Sequence, residues 1–289
     1  MVAMTRIERA MNEAIAASDG SGCPPRLMAA VRYAVFPGGA RIRPRLCLAV
    51  AEACGDDQPA VADAAACAIE MLHCASLVHD DLPCFDNADE RRGKPSVHRA
   101  FDERLAVLAG DALIVLAFQT IARQTMLAPP RCGALQLVVA RSVGMPLGIV
   151  AGQAWECEPE ADLSAYHRAK TGALFASATV AGAAAAGAEA APWQLLGERI
   201  GEAYQVADDI RDAAGDSVDL GKPVGQDALL GRPSAVLQLG LDGAIRRLKC
   251  LVAEAVEGIP ACPGAEDLKA HILSESGRLL PKGLALRAA

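Results

Sequence analysis

The sequence predicts an all-α protein, a single domain of roughly ten helices spanning residues 1–289, and three observations carry that expectation. Hydrophobic residues make up 52% of the chain and aromatics only 3%, so the core must be assembled from Ala, Leu and Val. Ala-rich stretches with few β-branched runs favour helices that approach closely. Apolar residues recur at helical spacing, and no stretch alternates with the period of two that marks a half-buried strand. The chain is long enough to bury a sizeable core.

Taken in order, helices are expected over 7–17 and 26–35, separated by the turn SDGSGCPP. Pro37, Gly38 and Gly39 end the second helix and lead into ARIRP. Long apolar helices follow at 45–54 and 59–78, the latter running straight into HDDLPCFDNADERRGKP at 79–95. Further helices are expected at 101–126, 130–156, 162–187 and 192–213; after the polar loop GDSVDLGKPVGQD come 228–239, 242–256 and 265–275. The Ala-Gly run at 178–190 reads as a tight helix contact.

Composition excludes several functions. A net charge of −7 argues against a nucleic-acid binder, whose affinity rests on a basic face. Ten scattered cysteines with no Cys-x-x-Cys pair argue against a zinc site or redox dithiol; several fall in apolar helical stretches, and they read as buried free thiols in a reducing cytoplasm. The first residues lack the apolar core of a secretion signal. The apolar windows at 133–151 and 173–192 are interrupted by charge, proline or glycine, so no membrane span is expected.

Chemistry concentrates at 79–95, where Asp80, Asp81, Asp86 and Asp89 precede Arg91 and Arg92. Neighbouring carboxylates repel by about 1 kcal/mol in water and about 4 kcal/mol near a protein surface, so their clustering suggests a divalent cation. The alternative is a solvated face. Asp80 and Asp81 fall at a helix end and Asp86 just beyond the LPCF turn, so the three are expected to converge on one point. His73, seven residues before Asp80, shares nearly the same helical face. A second acidic group, YQVADDIRD, sets Asp208 and Asp212 at i and i+4, with Gln205 on that face. Magnesium takes one or two protein carboxylates and completes its shell with water and phosphate, which fits two acidic clusters around a diphosphate. Arg41, Arg43 and Arg45 after the Gly-Gly turn, with Arg91, Arg92, Lys170 and Lys222, offer cations suited to phosphate. His98, His167 and His271 read as surface or loop residues and His79 as structural.

These residues carry a family resemblance. HDDLPCFDNADERRG and YQVADDIRDAAGD, with GGARIRP, EMLH, LAGDAL, KTGALF and LGKPVGQD in the same order, resemble the short-chain trans-isoprenyl diphosphate synthases, over about residues 25–240. The bacterial geranylgeranyl diphosphate synthases of carotenoid and bacteriochlorophyll pathways are the nearer likeness. Farnesyl diphosphate synthases, a non-catalytic regulatory subunit and a class I terpene cyclase are the alternatives.

The resemblance implies an antiparallel isoprenoid-synthase bundle around a central cavity, a homodimer, and elongation of dimethylallyl, geranyl or farnesyl diphosphate by isopentenyl diphosphate. It assigns Asp80, Asp81, Asp86, Asp208 and Asp212 to three Mg²⁺ ions, and Arg91, Lys170 and Lys222 to the allylic diphosphate. It assigns Arg43, His73 and Arg92 to isopentenyl diphosphate, and Lys170, Thr171 and Gln205 to the reacting centre, where departing pyrophosphate takes the proton. Ser76 and Ala75, small residues before the first Asp, and Leu72 beneath them are expected to leave room for a twenty-carbon product. Three positions depart from the family pattern. Ala40 stands where Lys is usual, with Arg41 beside it as a substitute ligand; Arg232 replaces a second Lys as a phosphate ligand; Glu156 replaces Asp.

Overall fold

The computed structural model describes residues 2–36, 38–124, 126–159, 168–214 and 234–277. The described segments are overwhelmingly helical, as the composition requires, and the chain clusters into two compact units.

The first unit, Met1–Ala140 with Ala181–Glu189, holds helices α1 (Val2–Ala16), α2 (Pro25–Val35), α3 (Ile42–Ala53), α4 (Pro59–Asp80), α5 (Val97–Ala100), α6 (Glu103–Ala122) and most of α7 (Pro129–Val143). Helix α4 is its axis. Pro59 occupies the first turn, where a missing N–H costs nothing, and Ala-rich sequence carries the helix for 22 residues. It is apolar nearly all round and therefore buried on most sides. Ile69, Met71 and Leu72 of α4, Met11 and Ile15 of α1, Leu48 of α3 and Leu113 of α6 are among the largest fully buried side chains. The Asp102 side chain starts α6 by accepting the Leu105 N–H at 2.8 Å. A methyl group on Gly110 would strike the His79 ring, so the glycine lets α6 close on α4. Helices α4 and α6 are long and apolar enough to cross a membrane by length and composition, and neither coincides with the windows read from the sequence. The α4 window is 78% buried, as in a core helix.

The second unit, Arg141–Val180 with Ala190–Ala289, contains α8 (Ile149–Ala154), a π-type turn at Arg168–Gly172, the start of α9 (Ala173–Ala185), α10 (Gln194–Ala214), α11 (Ala235–Glu257) and α12 (Ala265–Ser276). Its core joins Ala203, Val206, Ala207 and Ile210 of α10 to Ala244, Leu248 and Leu251 of α11. Across this helix pair Arg199 of α10 reaches Glu254 of α11, and Arg247 of α11 reaches Glu202 of α10.

Four expectations need correction. The helix expected over 130–156 breaks between Val143 and Ile149, where Gly144, Pro146 and Gly148 interrupt the backbone ladder. Residues 228–233 of the helix expected over 228–239 lie outside the described residues; its remainder runs on into the helix expected over 242–256 as α11, kinked at Gly240 with φ 69°. A hairpin, β1 (Glu90–Arg91) and β2 (Lys94–Pro95), is too short to show an alternating pattern. The cysteines are all free; Cys47, Cys67, Cys74 and Cys132 are buried, whereas Cys84, Cys157 and Cys250 are exposed. Burial pushes the Cys74 thiol up to about 12. The tight contact expected at 178–190 is present in the first unit, where Gly182 lies so close to the Cys47 carbonyl that a methyl group would overlap it.

Candidate active site

In the first unit the acidic segment begins as α4 ends. Asp80 is its last residue and Asp81 its cap, and the chain then turns back so that the Asp86 N–H donates to the Asp80 carbonyl at 3.0 Å. The Asn87 N–H reaches Leu82 and the Ala88 N–H reaches Asp81 in the same loop. Arg91 donates to Asp81 through Nε at 2.9 Å and through Nη2, while its Nη2 is 3.9 Å from Asp80. Asp81 is 2% exposed. Burial pushes its carboxyl above the ordinary range, against the opposing pull of Arg91.

Among the described residues no three His, Cys, Asp or Glu groups are gathered around a metal position. Arg91 holds Asp81 instead. The donors still fit Mg²⁺, because the ion needs only one or two hard carboxylate ligands and fills its remaining positions from phosphate and water.

A cationic group lies beside this segment in the same unit. Arg43 Nη1 is 3.4 Å from His73 Nε2, and a methyl group on Gly39 would come within 3.0 Å of the Arg92 guanidinium. Burial first, then Arg43, Arg92, Arg91 and Arg41, holds the His73 imidazole well below its usual pKa. The ring is neutral at pH 7, and an N–H remains to donate to an anion.

Arg41 does not belong to that group. Its side chain is fully buried, with Nη1 on Glu70 at 2.7 Å, Nε on Glu8 at 2.9 Å and Nη2 on the Val35 carbonyl at 2.8 Å. Burial pushes the guanidinium down, but Glu70 and Glu8 outweigh it and hold it above the usual value. The expectation that Arg41 substitutes for the lysine missing at Ala40 is therefore overturned: it is an internal strut with both carboxylates engaged.

Further along α4, Leu72 and Ala75 are each 1% exposed, whereas Ser76 is half-buried and donates to the His73 carbonyl at 2.8 Å. His79 contacts the Val107 carbonyl at 3.2 Å and lies 3.9 Å from Asp111, which agrees with a structural role. His98 is buried and pairs with Ser96 at 3.0 Å, correcting its assignment to the surface.

In the second unit Asp208 and Asp212 lie one turn apart on α10. Arg211 donates to Asp208 at 3.1 Å. Gln205 directs its amide to Asp209 at 3.0 Å, and Asp209 also accepts the Ala235 N–H at 2.7 Å, joining α10 to the start of α11. Lys170 sits in the π-type turn and donates to Glu156 at 2.5 Å. Turns of this type occur frequently at functional sites. The backbone of that turn presses on Gly152 of α8, where a methyl group would be 2.6 Å from the Lys170 nitrogen. The Thr171 side chain, Lys222, Arg232 and His167 lie outside the described residues.

Two segments rich in carboxylates, and separate cations suited to phosphate, on an all-helical scaffold define a class of enzyme that handles diphosphates. A polyprenyl synthetase family model matches residues 24–259. The chain is 58% identical over 284 residues to a geranylgeranyl diphosphate synthase from Cereibacter sphaeroides, covering 98% of each chain. It is 54% identical over 263 residues to a geranylgeranyl diphosphate synthase from Rhodobacter capsulatus, covering 91% of each. Its fold is similar to the crystal structure of a geranyltransferase from Helicobacter pylori complexed with magnesium and isoprenyl diphosphate, with a TM-score of 0.79 and 30% identity over 96% of this chain and 97% of that one. The chain belongs to the polyprenyl synthetase family and is a prenyltransferase that extends prenyl diphosphate chains.

Proposed function

We propose that this prenyltransferase joins isopentenyl diphosphate head-to-tail to an allylic diphosphate, with Mg²⁺, and carries the chain to geranylgeranyl diphosphate. One observation supports this reading above the others: a single hairpin presents Arg91 to the acidic segment and Arg92 to the pocket of Gly39, Arg43 and His73. A reaction between two diphosphates requires two such groups. A terpene cyclase, which ionises a single diphosphate, has no use for the second.

Asp80, Asp81, Asp86, Asp208 and Asp212 are the residues assigned to the metal. When bound, Mg²⁺ neutralises charge that develops on the leaving diphosphate, an effect made in the transition state and usually the dominant kind. Arg91, Lys170, Lys222 and Arg232 add hydrogen bonds to phosphate oxygens. Arg43, His73 and Arg92 hold isopentenyl diphosphate, with the His73 ring acting as a neutral N–H donor. Thr171 and Gln205 are assigned to stabilising the developing allylic cation, apolar walls keep water from it, and the released pyrophosphate takes the proton. Ser76, small and half-buried, is assigned to leaving space for the growing tail; Ala75 beside it is small but packed, with Leu72 beneath them. Leu108 and Val115, exposed and seven residues apart on one face of α6, suit a second copy of the chain. Sedimentation at a dimer mass is the expected result. The product is read as a precursor for carotenoid- or bacteriochlorophyll-type isoprenoids.

The deciding assay supplies purified protein with Mg²⁺, labelled isopentenyl diphosphate and each allylic primer in turn. Elongation to twenty carbons is expected. A protein that extends no primer overturns the reading, and fifteen carbons as the end product favours a farnesyl diphosphate synthase.

A further inference from the structure

The hairpin that carries both arginines has an unusual turn. Arg92 and Gly93 have φ values of 56° and 73°. Two consecutive positive φ values suit Asn-Gly, and a bulky residue at the first position is held there against a conformational cost. Something must keep this hairpin in place, and the neighbouring contacts identify it.

Lys94 Nζ donates to the Tyr33 carbonyl at 2.6 Å and to the Phe36 carbonyl at 2.9 Å, at the C-terminal end of α2. The ammonium also lies 3.9 Å over the Tyr33 ring, and the Tyr33 hydroxyl donates back to the Pro95 carbonyl at 2.8 Å. A cation at this end of a helix meets unsatisfied carbonyls and the negative end of the helix dipole. Arg41 reaches the Val35 carbonyl from within the core. Two cations thus fix the last turn of α2, and the Gly38–Gly39 loop leaves from it directly beneath Arg92.

We propose that Lys94 is a positioning residue for the isopentenyl diphosphate pocket: it ties the hairpin to the end of α2, so that the Arg92 guanidinium rests over Gly39 beside Arg43 and His73. The inference rests on the assignment of that pocket above. Lys94 itself is occupied by carbonyls, and acts through Arg92. Its two hydrogen bonds come from a charged donor, the stronger kind, and set the hairpin's position.

Two measurements test this on the full chain. Lys94→Met should raise KM for isopentenyl diphosphate about tenfold, the equivalent of about 1.4 kcal/mol, with kcat and the allylic KM changed by less than about twofold. Amide hydrogen exchange at residues 38–43 and 91–93 should quicken without ligand present. Lys94→Arg, which restores a charged donor, should recover most of both losses. An isopentenyl diphosphate KM and exchange rates unchanged in Lys94→Met overturn the proposal. So does a uniform fall in every kinetic constant with a lowered melting temperature, which marks general destabilisation. If Lys94→Met does not fold, Lys94→Gln carries the same readouts. Parallel assay of the unaltered chain separates the two levels: if it does not elongate, the functional reading fails, while the exchange result still judges the tether.

Discussion

The two acidic clusters are held by different means. On α10 the helix itself sets the spacing of Asp208 and Asp212, and Asp209 between them is turned inward to bind Gln205 and the first N–H of α11. At the end of α4 the chain has left the helix, so Asp86 is returned to Asp80 by a backbone hydrogen bond and Asp81 is held by Arg91. One cluster depends on secondary structure, the other on a loop and a guanidinium. The α10 carboxylates should therefore divide cleanly into a chemical residue and a structural neighbour. The α4 carboxylates should not.

The largest effect is expected from removing the chemical residue. Asp208→Ala should lower kcat by about 10²–10³-fold, the range typical for losing one preorganised charge-stabilising group, with the helical circular dichroism unchanged. Turnover near the unaltered rate would remove Asp208 from the metal site. Asp209→Ala, one residue away, should act on stability. It leaves the Ala235 N–H without its acceptor in a partly buried position, at a cost of about 1–3 kcal/mol. For a chain of this size that lowers the melting temperature by about 2–4 °C per kcal/mol. If both variants lost activity equally and melted alike, the division within α10 would be wrong.

A smaller effect separates two positions deeper on α4. Ala75 is packed and Ser76 is half-buried, so a ring at 75 must displace neighbours whereas one at 76 has room. Overpacking costs about 1–3 kcal/mol. Both Ala75→Tyr and Ser76→Phe should shift the principal product towards fifteen carbons, and Ala75→Tyr should be the less stable of the two. Twenty-carbon product from both variants would show that neither position limits length.

The same contrast governs what the sequence revealed. Asp208 and Asp212 were legible because helical spacing alone puts them together. Arg43, His73 and Arg92 needed the family resemblance, since residues 43, 73 and 92 are brought together only by tertiary packing. Arg41 was misread for the same reason: alternating with Arg43 and Arg45, it has nothing local to distinguish it. Its fate is decided by Glu70, 29 residues away, and by Glu8. A signal was present in Glu70, a carboxylate within an apolar helix, which must find a cation if it is buried. The hairpin at 90–95 went unread because strands of two residues leave no periodicity to read. Asp209 was equally concealed, because its partner Ala235 is 26 residues away.

The smallest effect concerns the pocket rather than either cluster. His73 has its folded pKa depressed by burial and by the surrounding guanidiniums, so the unfolded chain binds its proton more readily than the folded one. The sign follows from linkage: the stability is present above the unfolded value, about 6.5, and is lost as pH falls below it towards the folded value. His73→Gln removes the titrating group and keeps a polar side chain. The melting temperature of the unaltered chain minus that of His73→Gln should therefore be larger at about pH 8 than at about pH 5, with low salt avoided so that screening does not vary between samples. A difference that stays constant across this window would mean that His73 is protonated as easily in the folded protein as in the unfolded chain. The guanidiniums of Arg43 and Arg92 would then be further from the ring than the 3.4 Å contact with Arg43 implies, and the cationic pocket would be looser than the acidic loop beside it.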